Sequence, residues 1–173
     1  MSKLNKVNYV RRRQSESKIV MRLGLLFITM SCLAACGHSS DHIDLSQLRR
    51  RSEPLVGYIG HVNTTLVESQ SGTVAIPPGP VKLEGWAVDN VNHTTATAMY
   101  VSVNGSPVSC EYGTPRLDVS TALKDTRYIN SGYECNIPQS DLKNGSNSIE
   151  PILVGADKSY SVGSALTLQV GSH

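Results

Sequence analysis

The region from about residue 56 onward is a series of short β-prone runs separated by turn residues, and this pattern restricts the fold most strongly. Polar and apolar residues alternate within runs such as MYVSVN at 99–104, which is the period of a strand with one buried face. Asn104-Gly105 and Asn144-Gly145 carry the dipeptide favoured in tight hairpins. About seven such strands, with turns roughly every 8–12 residues, predict an all-β fold, an Ig-like antiparallel β-sandwich over residues 56–171. The predicted strands cover residues 57–63, 81–88, 98–104, 108–112, 132–137, 148–154 and 164–170.

An apolar run lies near the start of the chain. Residues 23–35 read LGLLFITMSCLAA and follow the basic residues Lys18 and Arg22. A helix that spans a bilayer needs about 20 apolar residues, which is more than this run offers. A signal-peptide core has this length and ends in small residues at its cleavage site. Residues 1–35 are therefore predicted to be a removable export signal, and Met21 is an alternative start of the chain.

The end of this run resembles the lipobox of bacterial lipoproteins, a leucine and two small residues before a cysteine. Here the four residues are Leu33, Ala34, Ala35 and Cys36. The resemblance implies that the Cys36 thiol carries diacylglycerol and that the new amino terminus carries a fatty acid such as palmitate. Several acyl chains hold a protein stably on a membrane. An ordinary secretory signal with a chance cysteine is the alternative.

The residue after the lipidated cysteine indicates whether a lipoprotein stays at the inner membrane or moves to the outer membrane. In enteric-type lipoproteins an aspartate at that position retains the protein at the inner membrane, and this chain has Gly37. The resemblance thus implies a protein of the cell envelope, anchored to the outer membrane through Cys36.

Residues 36–55 are polar and are predicted to form a flexible tether. The run Arg49-Arg50-Arg51 within them is interpreted as solvated. Of 16 basic and 14 acidic residues, seven basic and one acidic precede Cys36, so the remainder has nine and 13, a net charge of −4. A mildly acidic mature chain argues against nucleic acid as a partner.

Cys110 and Cys135 lie in predicted strands of a domain expected to be exported. Oxidising compartments favour disulfides, and these are the two cysteines left in the mature domain besides Cys36. A metal site is the alternative, but no histidine or cysteine lies near them at ligand spacing. A Cys110–Cys135 disulfide is therefore predicted, with a stabilisation of roughly 3–4 kcal/mol from loop closure.

Three short motifs are similar to an Ig-like β-sandwich module that recurs in bacterial envelope proteins and beside some sugar-transferring enzymes. They are Gly85-Trp86-Ala87, an Arg-x-Asp-Val segment at 116–119, and a Leu-x-x-Gly turn at 142–145. The resemblance implies a sandwich whose function is unassigned in most members.

Trp86, Arg116 and Asp118 are the candidate site residues of the domain. Trp86 is the only tryptophan, and a lone aromatic in a strand more often packs in the core than binds a ligand. A ligand platform is the alternative. Asp118 is expected to cap a helical turn at 119–123, with Arg116 bonding carbonyls or a carboxylate. Recognition of an anionic glycan by Arg116 and Asp118 is the alternative.

The sequence contains no G-x-S-x-G, H-E-x-x-H or phosphate-loop motif, so we expect no enzyme activity, catalytic residue, metal or cofactor. The predicted function is a membrane-anchored binding or adhesion module for a glycan, peptidoglycan or protein. A structural or assembly accessory of an envelope complex is the alternative. An exposed aromatic pair near Trp86 and Tyr112 would favour a glycan, whereas a flat apolar patch or open edge strand would favour a protein.

Overall fold

A computed structural model describes residues 44–171 of the chain. The predicted signal peptide, Cys36 and the first part of the predicted tether lie outside these residues. Within residues 44–171, no helix is long and apolar enough to cross a membrane. The fold of these residues is all-β with one short α-helix, α1 (Leu117–Ala122). It also has three 3-10 helices, at Leu45–Gln47, Thr126–Tyr128 and Gln139–Asp141. The strands are β1 (Arg49–Arg50), β2 (Val56–Val62), β3 (Thr65–Leu66), β4 (Thr73–Ile76), β5 (Val81–Val88), β6 (Ala98–Val103), β7 (Ser106–Thr114), β8 (Gly132–Ile137), β9 (Gly145–Val154), β10 (Ser159–Val162) and β11 (Leu166–Val170).

The strands form a mixed sheet whose hydrogen-bonded order is β1-β10-β9-β6-β7-β8-β5-β2-β3. β11 pairs with β9 on one side and with β4 on the other. The expected purely antiparallel pairing is wrong at two places, because β1 runs parallel to β10 and β4 runs parallel to β11. β1 consists of two arginines and β4 of four residues, so neither carries an alternating pattern long enough to predict a strand.

All seven predicted strands are present, and β5 and β8 have the predicted bounds. The turn between β6 and β7 consists of Asn104 and Gly105, whose φ angles are 52° and 94°. Positive φ at both central residues is the requirement of the tight hairpin turn that Asn-Gly favours. The hairpin therefore follows from its sequence.

One hydrophobic cluster collects the buried side chains of several strands. In β5 the inward residues are Val81, Leu83 and Ala87, which alternate with outward Lys82 and Glu84. The other strands contribute in the same alternating way. The cluster also includes Ile59, Val62, Met99, Val101, Val103, Tyr133, Cys135, Ile137, Ile149, Leu153, Leu166, Leu168 and Val170.

The predicted disulfide between Cys110 and Cys135 is present and joins β7 to β8. It lies one register position beyond the pair Glu111 and Glu134. At this point β7 leaves its pairing with β6 and continues against β8. β7 therefore connects two arms of the sheet, one containing β2, β5 and β8 and the other containing β6, β9 and β11. The bridge holds β7 at this connection.

The structure differs from the expected flexible tether over residues 44–55. β1 pairs with β10, and Arg51 is 7% exposed rather than solvated. Its guanidinium contacts Asp89 at 2.7 and 3.0 Å and Asp157 at 2.8 Å, and its Nε donates to the hydroxyl of Ser159. We call Arg51, Asp89, Asp157 and Ser159 the Arg51 cluster. The sequence predicts that the three successive arginines are solvated, because it does not show which of them contacts buried carboxylates in the folded domain.

Gly155 makes room for this cluster. A Cβ atom there would overlap the Arg51 guanidinium and lie 2.7 Å from a carboxylate oxygen of Asp89. Asp89 also accepts hydrogen bonds from the backbone amides of Val91 and Asn92. Asp89 therefore holds the turn that follows β5 and binds Arg51 as well. Ordered structure begins before the predicted boundary at residue 56.

Candidate functional site

A groove of about 510 Å³ lies on the outer side of β2, β5 and β8. Outward residues of these strands supply most of its lining, because strand side chains alternate between the two faces of a sheet. Gly85 and Tyr133 also line it, although both occupy inward positions. It contains Trp86 and Arg116, two of the three candidate residues from the sequence. Its lining residues are Tyr58, Gly60, His61, Leu66, Glu84, Gly85, Trp86, Thr114, Arg116, Tyr133 and Glu134.

Two aromatic residues lie side by side in the groove. Tyr58 of β2 is directly opposite Trp86 of β5 in the antiparallel register, and both are partly exposed. Directly opposed residues have Cβ atoms about 4.5–5.5 Å apart. The Tyr58 hydroxyl donates a hydrogen bond to the Val67 carbonyl, which fixes its orientation. The groove thus has a neighbouring pair of aromatic side chains.

The expectation that Trp86 anchors the main core is not met. It packs against a separate small cluster formed by Val88, Val119 and Tyr128, on the side of β5 that faces away from the main core. The alternation Val81, Leu83, Gly85, Ala87 places the main core on the other side. This small cluster of buried side chains supports one side of the partly buried indole.

Arg116 and Asp118 form a two-point ion pair. The Nε and Nη2 atoms of Arg116 donate to the Asp118 carboxylate at 2.8 and 2.6 Å. The hydrogen bonds from Arg116 lower the pKa of Asp118 to about 2. Nη1 faces the Gly85 carbonyl at 3.4 Å. The prediction that Arg116 bonds a carbonyl or a carboxylate agrees with these contacts.

Asp118 does not take the helix-capping position expected for it. Arg116 is the residue before the first turn of α1, and its side chain makes no capping hydrogen bond. Asp118 lies inside the first turn, where a negative charge is favourable near the helix amino terminus. The helix starts two residues earlier than the expected turn, so the carboxylate faces Arg116 instead.

Gly132 lets Arg116 lie across β8 next to Trp86. Gly132 is directly opposite Trp86 in the register. A Cβ atom on Gly132 would overlap the Thr114 hydroxyl and lie 3.0 Å from the Arg116 Cγ. The absent side chain therefore leaves space for the arginine methylenes.

Two carboxylates, those of Glu84 and Glu134, form the polar end of the groove, and Lys82 next to the groove joins them. Lys82 contacts Glu84 at 2.7 Å and Glu134 at 2.8 Å. Its hydrogen bonds lower the pKa of Glu134, and the two glutamates raise the pKa of Lys82. Glu84 and Glu134 are directly opposed on neighbouring strands. The lysine offsets the repulsion between them.

Tyr112 does not join Trp86 in the groove, so the exposed pair of these two residues that would have favoured a glycan is not formed. Its hydroxyl donates to the Ala87 carbonyl at 2.7 Å and accepts from the Ala96 amide at 3.2 Å. Burial raises its pKa. The aromatic neighbour of Trp86 in the groove is Tyr58, because the pairing of β2 with β5 brings it opposite Trp86. The alternation of residues in β2 shows which of them share a face. The sequence does not show the register between β2 and β5, which places Tyr58 opposite Trp86.

The part of the chain that the structure describes contains no group of three or more histidine, cysteine, aspartate or glutamate side chains that could hold a metal ion. The groove therefore offers aromatic faces, carboxylates and a guanidinium. These groups can stack on a ligand and exchange hydrogen bonds with it.

Comparisons with known proteins give no family for this chain. No family model matches it, and no curated protein matches its sequence. Among solved structures, it is similar to the X-ray structure of the endo-beta-1,4-mannanase from Thermotoga petrophila, with a TM-score of 0.43 and 8% sequence identity. The similarity covers 71% of this chain and 21% of that chain. A similarity of this size assigns neither a family nor an activity.

Proposed function

We propose that this protein is a lipid-anchored envelope protein that binds carbohydrate in the groove around Trp86. The observation that carries the proposal is the side-by-side pair of Tyr58 and Trp86, with carboxylates on one side and Arg116 on the other. Sugar rings have apolar C–H faces and a rim of hydroxyls, so they fit sites that combine aromatic surface with a few polar groups. A peptidoglycan strand offers the same sugar faces, although its peptide stems add carboxylates.

The lipid anchor rests on the sequence around Cys36. We propose diacylglycerol on its thiol, removal of residues 1–35 and an outer-membrane location. Metabolic labelling with a palmitate analogue should tag the wild-type protein and not the Cys36→Ser variant. A Cys32→Ser variant is the matched control, because this cysteine lies within the expected signal peptide and should leave labelling intact. Equal labelling of wild type and Cys36→Ser would exclude the anchor.

The proposed fold type is an Ig-like sandwich. Two features support it. A single hydrophobic cluster is shared by β2, β5 and β8 in one arm of the sheet and by β6, β9 and β11 in the other. In addition, β7 pairs with both arms in succession. A crystal structure with strands of the two arms packed face to face would test it.

The proposal is a binding protein rather than an enzyme. Glycoside hydrolysis by two carboxylates usually needs one of them to stay protonated through a raised pKa. In the groove Lys82 lowers the pKa of Glu134 and contacts Glu84 as well. This arrangement favours hydrogen bonding to sugar hydroxyls over proton donation.

A glycan array tests carbohydrate binding. Full-length wild-type protein, solubilised in a detergent without a sugar head group, should bind at least one glycan class. Trp86→Ala should weaken that binding roughly tenfold, which corresponds to about 1.4 kcal/mol. Trp86→Phe should restore part of it, because a ring remains.

Tyr160→Ala is the matched control for this experiment. Tyr160 is also a partly exposed aromatic residue, but it lies in β10 and does not line the groove. Its replacement should leave glycan binding unchanged. Equal losses for Trp86→Ala and Tyr160→Ala would assign the effect to general destabilisation.

A second candidate function is a docking accessory for another envelope protein. Leu117, Leu123 and Ile129, on and after α1, are 69%, 38% and 40% exposed. Exposed apolar residues close together in the sequence and the fold are typical of protein contacts. Leu117→Ser should reduce co-purification of an envelope partner and leave glycan binding intact if this function operates.

A further inference from the structure

The charged side chains around the groove are paired with one another. Both nitrogens on one edge of the Arg116 guanidinium bond Asp118, and the third faces the Gly85 carbonyl. Two-point binding to such an edge is how arginine usually recognises carboxylates and phosphates. The edge that would hold an anionic ligand in this way already holds an internal carboxylate.

Lys82 offers no free positive charge either. It contacts both Glu84 and Glu134. Glu111, an exposed residue of β7, lies directly opposite Glu134 in the register. The groove and its surroundings thus contain two cations and four carboxylates. The cations are Arg116 and Lys82, and the carboxylates are those of Glu84, Glu111, Asp118 and Glu134. A ligand with a negative charge meets net repulsion at this site.

We infer that the groove selects uncharged glycans and discriminates against anionic ones. This inference rests on the proposed carbohydrate-binding function. Glu84 has a carboxylate oxygen beyond the one that contacts Lys82, and it can accept a hydrogen bond from a sugar hydroxyl. Tyr58 and Trp86 supply uncharged stacking surface. The Arg116–Asp118 pair therefore shapes the groove and does not serve as the anion receptor that the sequence allowed.

The test compares ligands that differ in charge on the same backbone. Hydroxyethyl cellulose and carboxymethyl cellulose form one such pair, and N-acetylated and sulfated chito-oligosaccharides form another. Trp86 is the only tryptophan, so its fluorescence reports directly on groove occupancy. The full-length protein is titrated with each ligand in 50 mM and 300 mM salt, with conditions otherwise fixed.

The expected result is binding of the uncharged member of a pair with little change between the two salt concentrations. Exposed charge interactions are screened over about 10 Å at 0.1 M salt, so an anion-binding groove would lose affinity as salt rises. Preference for the anionic member, weakened by salt, would overturn this inference and leave the carbohydrate proposal standing. If no ligand changes the fluorescence and no glycan on the array is bound, both this inference and the carbohydrate proposal are overturned.

An Asp118→Asn variant tests the mechanism of the discrimination. The substitution removes the carboxylate that occupies the Nε and Nη2 atoms of Arg116. The affinity for the anionic ligand, divided by the affinity for the uncharged ligand, should therefore rise about threefold or more. Asp125→Asn is the matched control. Asp125 pairs with Arg127 in the same two-residue spacing at 2.7 Å, but neither residue lines the groove. Equal ratios in wild type and Asp118→Asn would contradict the assigned role of the pair.

Discussion

Trp86 packs on one side and lines the groove on the other. The small cluster of Val88, Val119 and Tyr128 contacts the indole, while the remaining surface faces the groove. Leu83, three residues earlier in β5, is fully buried in the main core. These two large apolar side chains of the same strand therefore make different contributions to folding and binding.

We expect Trp86→Ala to lower the free energy of unfolding by about 1–2 kcal/mol, as for partly buried positions. Leu83→Ala should cost about 2–5 kcal/mol, because it leaves a cavity in a packed core. Urea denaturation followed by circular dichroism measures both. A larger loss for Trp86→Ala than for Leu83→Ala would place the indole in the core after all.

Asp89 is the buried carboxylate of the Arg51 cluster, and its side chain is inaccessible to solvent. Asp89→Asn should cost about 3–5 kcal/mol, because it leaves the Arg51 charge buried with one partner fewer. Ser102→Ala provides a control at another buried polar position. Thermal unfolding of both variants measures the difference. An equal shift of the melting temperature in both would contradict a special role for the Arg51–Asp89 pair.

The same cluster gives the domain a dependence on acid. Burial raises the pKa of Asp89, but hydrogen bonds from Arg51 and Asn92 outweigh this effect and lower it. Hydrogen bonds from Ser159 and Arg51 lower the pKa of Asp157 to about 2. A lowered pKa contributes stability above the unfolded-state value of 3.8, and that contribution is lost as the pH falls toward 2. Denaturation between pH 6 and pH 2 should show a smaller acid-induced loss for Asp89→Asn than for wild type.

Among the elements, β7 connects the two arms of the sheet, and the Cys110–Cys135 bridge fixes it where it changes partners. The separation of the two cysteines is 25 residues. Joining them restricts the unfolded chain by closing the loop between them. The bridge and the change of partners occur at the same place in β7.

The Cys110→Ala/Cys135→Ala double variant should lose about 2–4 kcal/mol of stability. Thermal unfolding with and without dithiothreitol measures the effect. The reductant should lower the melting temperature of the wild type and leave that of the double variant unchanged. A wild-type melting temperature that survives complete reduction would contradict the prediction.

Strands with alternating apolar residues were predictable, and so was the hairpin at Asn104 and Gly105. β1, β3, β4 and β10 are four residues long or shorter, which is too short for alternation to be recognised. The groove was predictable only in part. Trp86 and Arg116 came from local motifs, but Tyr58, Glu84 and Glu134 meet them through strand register, which depends on tertiary packing.

For the whole molecule, the described structure indicates where the folded domain begins. Strand β1 and Arg51 precede the sequence-based boundary at residue 56, and both contact β10 or its flanking turn. A fragment that starts at 56 leaves Asp89 buried without its guanidinium partner. Unpaired buried charges are strongly destabilising.

We expect fragment 44–171 to unfold cooperatively with a stability several kcal/mol above that of fragment 56–171. Urea denaturation of the two fragments tests this expectation. Fragment 44–171 carrying Arg50→Ala is the control, because Arg50 is exposed. Equal stability of the long and short fragments would restore residue 56 as the start of the domain.

Under the proposed lipid anchor at Cys36, the parallel pairing of β1 with β10 would have a mechanical consequence. Tension between the membrane and a bound glycan would enter the domain at β1, where the Arg49 and Arg51 amides donate to the Lys158 and Tyr160 carbonyls. A pull on the residues before β1 would load these bonds together with the side-chain contacts of Arg51. The Arg51–Asp89 pair passes the load to the end of β5, the strand that carries Trp86. Resistance to forced detachment follows the unfolding rate rather than the equilibrium free energy. In a lipid-anchored protein this short load path would therefore determine how long the domain holds under tension.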